Sequence, residues 1–154
     1  MIIGYARASR AEDLSVLDEQ VRKLRAAGAR EIFCERCWAE DDRNELEKAI
    51  RHLRPEDVLA VTEPHRLART PADFLVLEKE LGERDIGVLI LSMAGGQLDS
   101  RRPNGQRLLS LIEDLLDWDQ QTRAEVHRER IIDRSSGKAS PTHQRRQRSR
   151  ATAV

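Results

Sequence analysis

The sequence contains few aromatic residues, few cysteines and no long apolar run. Its 154 residues include two Trp, one Tyr and two Phe, so a folded core must be built mainly from aliphatic side chains. Two cysteines are too few for a disulfide-stapled scaffold. No run approaches the roughly 18 apolar residues of a membrane-spanning helix. The start, Met-Ile-Ile-Gly-Tyr, lacks the basic residues and long apolar stretch of a signal peptide, so we expect a cytoplasmic protein with no membrane partner.

The two cysteines, Cys34 and Cys37, have the Cys-x-x-Cys spacing of redox couples and of half zinc sites. A zinc site needs two further ligands, and His52 and His65 do not form a second closely spaced pair. A redox or metal-binding function is therefore a minor alternative. We expect two reduced cysteines, with Cys34 packed at the end of a strand, and neither a metal ion nor a cofactor.

The formal net charge is zero, but the charges are unevenly distributed along the chain. Residues 138–154 contain no acid, and their cations are Lys138, Arg145, Arg146, Arg148 and Arg150. Such a tail can bind a nucleic acid, because neutralising phosphates drives most non-specific affinity. It can also be a solvated, disordered segment, and the two interpretations are compatible.

Short apolar runs alternate with segments of helical spacing. The runs lie at residues 2–6, 31–34, 58–61 and 87–91. Repeated strand-helix units favour an α/β fold, with a mostly parallel sheet flanked by helices and with function at the carboxyl ends of the strands. The three predicted helices run through residues 14–24 with Gly28 as the stop, from Arg43 to before Pro55, and from Pro71 to a stop at Gly82.

A longer helical pattern follows the last predicted strand. Apolar residues recur with a period of 3.6 from Leu108 to Leu116, and the helix can run from Asn104 to Arg134, which is about 45 Å at 1.5 Å per residue. This length exceeds what a domain of this size can cover. We expect the first half to pack on a core or on a second subunit, and the second half to project into solvent or along a ligand.

A serine and several arginines stand at predicted strand ends. Ser9 follows the first apolar run, Arg7 lies two residues before it, and Arg66 and Arg69 follow the third run. A hydroxyl among guanidinium groups could attack a phosphodiester without a metal ion, because arginine stays protonated and offers planar, bidentate donors to phosphate oxygens. The combination points to DNA. Taken alone, Ser9 could also merely cap the following segment.

Further fragments stand in a fixed order along the chain. They are Tyr5-Ala6-Arg7-Ala8-Ser9, Leu17-Asp18-Glu19-Gln20, Asp42-Arg43-x-x-Leu46 and Arg66-Leu67-Ala68-Arg69. The ordered set resembles the catalytic domain of the serine recombinases, the resolvase and invertase family, and the resemblance extends to about Arg134. It implies that Ser9 attacks a DNA phosphate, that the 3′ oxygen leaves, and that a phosphoserine bond to the 5′ end conserves the bond energy for rejoining.

The resemblance also assigns roles to individual residues. It implies a phosphate-binding set around Ser9, which we call the arginine cluster, consisting of Arg7, Arg43, Arg66 and Arg69. Gln20 is a supporting polar contact. Two further supporting residues, His65 and Asp119, depart from the family pattern. His65 stands where the family has an aspartate, and Asp119-Gln120 stands where it has Glu-Arg. The expected DNA contacts are Arg123, Arg128, Arg130 and Arg134 of the long helix, and Arg145, Arg146, Arg148 and Arg150 of the tail.

Two functional hypotheses follow. The first is a site-specific DNA recombinase with a catalytic core at residues 1–103, an oligomerising and DNA-contacting helix at 104–136 and a basic, disordered tail at 137–154. It would act on DNA as a homodimer, or as a tetramer during recombination. The second is a catalytically impaired, truncated resolvase-like protein that binds DNA or oligomerises as a modulator. His65, Asp119 and the lack of room for a helix-turn-helix after Arg134 favour the second hypothesis.

Deleting residues 138–154 tests the tail. If the tail cations neutralise phosphates, the deletion lowers non-specific DNA affinity and reduces the slope of log affinity against log salt by about 0.9 for each phosphate that the tail neutralises. Fluorescence anisotropy with a labelled duplex at several salt concentrations measures both quantities. An unchanged slope would show that the tail does not bind phosphates.

Overall fold

A computed structural model of the protein describes residues 1–37, 43–93 and 95–135. Residues 145–150, with the predicted DNA-binding arginines Arg145, Arg146, Arg148 and Arg150, lie outside the described residues, so their contacts stay predictions. The chain divides into two compact units, Met1–Leu116 and Asp117–Val154. The proposed boundaries of core, helix and tail also stay predictions.

Strands and helices alternate along most of the described chain. The strands form one sheet in the order β2-β1-β3-β4-β5, in which the first four are parallel and β5 is antiparallel to β4. The predicted α/β class, mostly parallel sheet and long final helix are confirmed. The elements are β1 (Ile2–Ser9), α1 (Leu14–Ala26), β2 (Glu31–Cys37), α2 (Asn44–His52), β3 (Val58–Val61), α3 (Pro64–Leu67), α4 (Pro71–Glu83), β4 (Gly87–Met93), β5 (Gly96–Asp99) and α5 (Pro103–Ser135).

The core lies on both faces of the central strands. All four residues of β3 are buried, as expected for a strand covered by helices on both sides. On one face, Ile3 of β1 and Leu59 of β3 join an aliphatic cluster with residues of α2, α4 and α5. On the other face, Ala6 and Ala60 pack with Leu24 of α1. Packing on both faces holds the ends of β1 and β3 in place.

Local capping sets the limits of α1. Asp13 is the N-cap, and its side chain accepts a hydrogen bond from the Ser15 amide at 2.9 Å. Ser9 is therefore not the cap of this helix. At the other end the chain turns through Gly28 at φ +92°, a left-handed conformation that favours glycine, as the sequence predicts.

The prediction that Gly82 ends the third long helix is wrong. α4 starts after Thr70, whose side chain accepts a hydrogen bond from the Asp73 amide, and it continues through Gly82 to Glu83. The chain reverses at Asp85 instead, where φ is 58°. A short polar side chain tolerates this left-handed conformation, so the turn does not require glycine.

Two short elements lie outside the predicted pattern. β5 has four residues, of which only Leu98 is buried, so it shows no readable alternation. α3 also has four residues and begins at Pro64, where proline's missing N–H costs nothing. The second element matters most for function, because it carries Arg66.

The expected packing of Cys34 is wrong, since this side chain is exposed and Cys37 is the buried cysteine. β2 is an edge strand whose side chains alternate between faces, and Glu35 and Cys37 occupy the buried face at its end. Among the described residues, no group of three or more His, Cys, Asp or Glu side chains could hold a metal ion. None of the described helices is long and apolar enough to cross a membrane.

The start of α5 packs closely against the end of β5. Leu109 joins the core, and Gly105 is buried beside the backbone of Asp99. A Cβ atom at residue 105 would lie 2.0 Å from the carbonyl oxygen of Asp99, a distance that no side chain can adopt. The glycine therefore permits α5 to begin at this position.

Replacing Gly105 by alanine is expected to destabilise the protein by about 2 kcal/mol or more, because the main chain must move to admit the methyl group. Gly82→Ala is the matched control, since its Cβ would meet nothing within 4 Å and helix propensity then favours the alanine by about 1 kcal/mol. Urea unfolding of both variants measures the change. A Gly105→Ala variant as stable as the wild type would contradict the close approach.

Candidate functional site

The candidate site lies at the carboxyl ends of β1 and β3. β1 ends at Ser9, and the chain leaves β3 at Val61 and enters α3, which carries Arg66. Neighbouring parallel strands end at the same edge of a sheet. Because β1 pairs directly with β3, Arg7 and Arg66 meet although they are 59 residues apart in the sequence.

Arg7 and Arg66 exchange hydrogen bonds. Nε of Arg7 donates to the backbone carbonyl of Arg66 at 3.3 Å, and Nη1 of Arg66 donates to the backbone carbonyl of Arg7 at 3.2 Å. Nη2 of Arg7 also donates to the carbonyl of His65 at 3.1 Å. Each guanidinium is thus oriented by the main chain that carries the other.

Gln20 holds the main chain of Arg7 from α1. Its buried side-chain amide accepts from the Arg7 N–H at 3.1 Å and donates to the Arg7 carbonyl at 2.9 Å. Two backbone groups at the end of β1 therefore have partners outside the sheet. The sequence predicts a supporting contact at Gln20, and in the structure its side chain contacts the main chain of Arg7.

Two carboxylates surround the guanidinium of Arg66, whose side chain is only 12% exposed. Nη1 lies 3.0 Å from Oε1 and 2.9 Å from Oε2 of Glu12, and Nε lies 3.4 Å from Oε2 of Glu63. The same Glu63 oxygen accepts a hydrogen bond from the Thr62 hydroxyl at 2.9 Å. Two half-buried anions thus offset the positive charge that Arg66 brings next to Arg7.

The amide of Ser9 joins this network through Glu12, and its hydroxyl contacts the following turn. Oγ accepts a hydrogen bond from the Ala11 N–H at 3.2 Å, and the Ser9 N–H donates to Oε2 of Glu12 at 2.6 Å. The bond from the Ser9 amide is the main cause that lowers the pKa of Glu12, and the hydrogen bond and charge of Arg66 lower it further. Glu12 is therefore an anion held between the predicted nucleophile and a predicted phosphate-binding arginine.

Arg43 stands just before α2 and also contacts α3. Its Nη1 donates to the carbonyl of Leu67, so the carbonyls of the short helix α3 orient both Arg7 and Arg43. Nη2 of Arg43 is buried and has no hydrogen-bond partner among the residues that the structure describes. Burial is the largest cause that lowers the pKa of Arg43, and the charges of Arg7 and Arg69 add to it. An entering anion would satisfy such a donor.

A buried pair near Arg43 was not predicted from the sequence. The Tyr5 hydroxyl donates to Oε2 of Glu35 at 2.6 Å, and Oε1 of Glu35 accepts from the Glu45 amide at 3.2 Å. Burial raises the pKa of Tyr5 far above its ordinary value, the Glu35 carboxylate raises it further, and the charge of Arg43 acts in the opposite direction. The pair joins β1 and β2 to the first turn of α2, and this connection positions Arg43.

Three carboxylates of the site, on Glu12, Glu35 and Glu63, are absent from the sequence prediction. Isolated acids, in a strand or in a turn, are indistinguishable from solvated charges in a sequence as charged as this one. One signal was available, because Ser9 and Glu12 have the Ser-x-x-Glu spacing of a capping box, in which the acid reaches back to the serine amide.

Two other predicted site residues, His65 and Arg69, have exposed side chains at the same edge of the sheet. His65 contributes its backbone carbonyl, and the charge of Arg69 acts on Arg43. The remaining predicted residues belong to the second unit. There Arg123 pairs with Asp119 at 2.9 Å, Arg128 bonds to the carbonyl of Ala124, Arg130 is exposed, and the side chain of Arg134 lies outside the described part of the structure.

Known proteins share this sequence pattern. The family model described as the N-terminal domain of resolvase matches residues 2–147. The transposon Tn552 resolvase of Staphylococcus aureus is 34% identical over 138 residues, which are 88% of this chain and 64% of that protein. A probable DNA-invertase of Sinorhizobium fredii is 36% identical over 112 residues, which are 72% of this chain and 35% of that protein. The chain thus spans less than two thirds of the length of these two relatives.

Solved structures share the fold. The N-terminal catalytic domain of TP901-1 integrase has a TM-score of 0.62 at 18% identity and covers 79% of this chain and 97% of its own. A resolvase family site-specific recombinase from Streptococcus pneumoniae has a TM-score of 0.57 at 13% identity and covers 88% of this chain and 99% of its own.

The single tyrosine, Tyr5, reports on the buried pair. Because its pKa is raised in the folded protein, we expect no tyrosinate absorbance in a pH titration through 10.0, the ordinary pKa, until the protein unfolds. The unfolded chain loses this proton near pH 10.0 while the folded chain keeps it, so stability is full below that pH and falls as the pH rises above it. Ionisation of the folded protein near the ordinary value would contradict the pairing with Glu35.

Proposed function

The chain belongs to the resolvase family, as an N-terminal catalytic domain of the serine recombinases, and on this premise we propose that it is a site-specific recombinase that cleaves and rejoins DNA through Ser9. One observation carries the proposal. Arg66, from a distant part of the chain, reaches the Ser9 residue through Glu12, while Arg7 and Arg43 bond to the same short helix α3. This arrangement gathers a nucleophile and three guanidinium groups at one edge of the sheet.

The reaction assigned to the site is a phosphoryl transfer. Oγ of Ser9 forms a bond to the phosphorus of a DNA phosphodiester and releases its proton, and the bond from phosphorus to the 3′ oxygen breaks. The 3′ oxygen takes up a proton, and the 5′ end stays joined to Ser9 as a phosphoserine ester. Attack by a 3′ hydroxyl reverses these steps and rejoins the strand, so no external energy source is needed.

The arginine cluster supplies the positive charge that this reaction requires. The five-coordinate transition state concentrates negative charge on the non-bridging oxygens, where preorganised donors lower the barrier most. Arg7 and Arg43 are held in position by carbonyls, which take up some of their donors. Nη2 of Arg43 has no partner within the described part of the chain and could donate to an anion. We therefore propose catalysis that does not depend on a metal ion, and chelation with EDTA should leave the reaction unchanged.

We propose that α5 makes the chain a homodimer, with a tetramer during recombination. Within the first unit, Leu111 and Leu115 lie four residues apart on α5 and are 53% and 50% exposed. Within the second unit, Trp118, Ile131 and Ile132 are exposed by 68%, 53% and 62%. Exposed apolar side chains repeated along one helix are typical of a surface that pairs with another subunit.

A specific observation favours the second candidate function, a catalytically impaired modulator. The family pattern has an aspartate where this chain has His65, and the His65 side chain is exposed. The second candidate would bind DNA and oligomerise without forming a covalent bond, so the two functions differ in one measurable product.

Covalent trapping separates the two functions. Labelled supercoiled DNA carrying the regions that flank the gene is incubated with the protein, denatured in detergent and examined for protein-linked DNA. We expect the wild type to form an adduct and Ser9→Ala to form none, with its unfolding and DNA affinity unchanged. Ser15→Ala, an exposed serine on α1, is the control and should retain the adduct. An adduct formed by Ser9→Ala would exclude Ser9 as the nucleophile.

A further inference from the structure

The carboxylate of Glu12 lies between two groups that the proposed reaction needs. Its Oε2 accepts from the Ser9 amide at 2.6 Å and lies 2.9 Å from Nη1 of Arg66, and its Oε1 lies 3.0 Å from the same nitrogen. One anion thus takes up a donor of the nucleophile residue and a donor of the arginine cluster. The amide belongs to the residue that carries the proposed attacking hydroxyl.

The contact is more than the closure of a local turn. A turn explains the bond from the Ser9 amide to Glu12 and the bond from the Glu12 amide to the Ser9 carbonyl, since these residues are three apart. It does not explain Arg66, which comes from α3, 54 residues after Glu12. The 12% exposed guanidinium and the 33% exposed carboxylate form a partly buried ion pair across the site.

A phosphate oxygen accepts hydrogen bonds from the same kinds of donor as this carboxylate. Both are anionic oxygens that accept charge-assisted bonds from guanidinium groups and from backbone amides. Glu12 also remains ionised at neutral pH, because the Ser9 amide and Arg66 hold its pKa below the ordinary value. A phosphate brought to these donors would meet a resident negative charge, and two anions side by side repel each other.

We propose that the Glu12 carboxylate occupies the position of the scissile phosphate, so that the Ser9 amide and Arg66 are phosphate donors and Glu12 must withdraw before DNA binds productively. The proposal rests on the proposed function and adds a positioning residue to it. Glu12 keeps the donors oriented while the site is empty of DNA and excludes small anions. It acts through Ser9 and Arg66 and takes no part in bond making.

The test uses inorganic phosphate as the probe and the Ser9 amide resonance in a proton-nitrogen correlation spectrum as the readout. In Glu12→Gln, which keeps the side-chain size, we expect the phosphate dissociation constant at Ser9 to fall by about tenfold or more, because the competing charge is gone. Glu12→Ala should show the same gain. This second variant controls for the case in which the glutamine side chain still hydrogen-bonds to the Ser9 amide. Amide dispersion and urea unfolding show whether each variant is folded.

Glu63→Gln is the matched control. Glu63 pairs with the same guanidinium and has a similar exposure, 30% against 33% for Glu12, but it is Glu12 whose carboxylate accepts from the Ser9 amide. If Glu12 occupies the phosphate position, Glu63→Gln should tighten phosphate binding by less than about threefold, a general charge effect. An equal gain in both variants, or no gain in folded Glu12→Gln and Glu12→Ala, would overturn the proposal.

This result is independent of whether the protein cleaves DNA. If covalent trapping fails but Glu12→Gln binds phosphate more tightly than the wild type, the recombinase function is rejected and the anion site is kept. If the wild type is trapped on DNA but the Glu12 variants bind phosphate no more tightly, the recombinase function is kept and the role of Glu12 is rejected. Adding Arg66→Gln to Glu12→Gln should remove the gain, since Arg66 is the second donor; retention of the gain would also reject the proposed site.

Discussion

The reciprocal hydrogen bonds between Arg7 and Arg66 are the constraint on which the rest of the site depends. Two guanidinium groups repel each other, yet here each donates to the backbone carbonyl of the other residue. The pairing of β1 with β3 brings these carbonyls together, and Gln20 fixes the main chain of Arg7. The packed sheet therefore opposes a repulsion that would otherwise separate the arginines, and this is how a preorganised cationic site is held in a marginally stable protein.

The anions of the site are as important as its cations. Glu12 and Glu63 offset the charge of Arg66. Glu35 is buried against Tyr5 and helps to position the start of α2, which Arg43 immediately precedes. A cluster of arginines without such partners would bind any available anion and would strain the fold. The structure thus has a compensated site, in which carbonyls or carboxylates orient the guanidinium groups of Arg7, Arg43 and Arg66. Under the proposed function, this compensation would have to rearrange when a phosphodiester enters, because it uses donors that the phosphate needs.

Prediction from sequence succeeded where a local pattern is strong. The parallel strands, the stop at Gly28 and the long final helix follow from apolar periodicity and from a backbone conformation that favours glycine. It failed where an element is too short to show a pattern, or where packing against a neighbouring element determines the outcome. β5 has too few residues to show alternation, Gly82 is accommodated inside α4, and the exposure of Cys34 depends on which face of an edge strand meets the core. For the site, the arginines and Ser9 were named from ordered motifs, but the roles of Glu12, Glu35 and Glu63 were not, because these roles depend on partners from other elements. Only Glu12 had a local signal, its spacing from Ser9.

The sequence by itself determined the α/β class, the family and the identity of the residues that gather at the strand ends, because periodicity and ordered motifs are properties of the chain. Only the tertiary structure decided that Arg66 contacts Glu12 and Glu63, that α3 supplies carbonyls to Arg7 and Arg43, and that the predicted supporting residue His65 has an exposed side chain. These contacts join residues far apart in the chain. Their existence depends on strand order and packing, which no local pattern encodes.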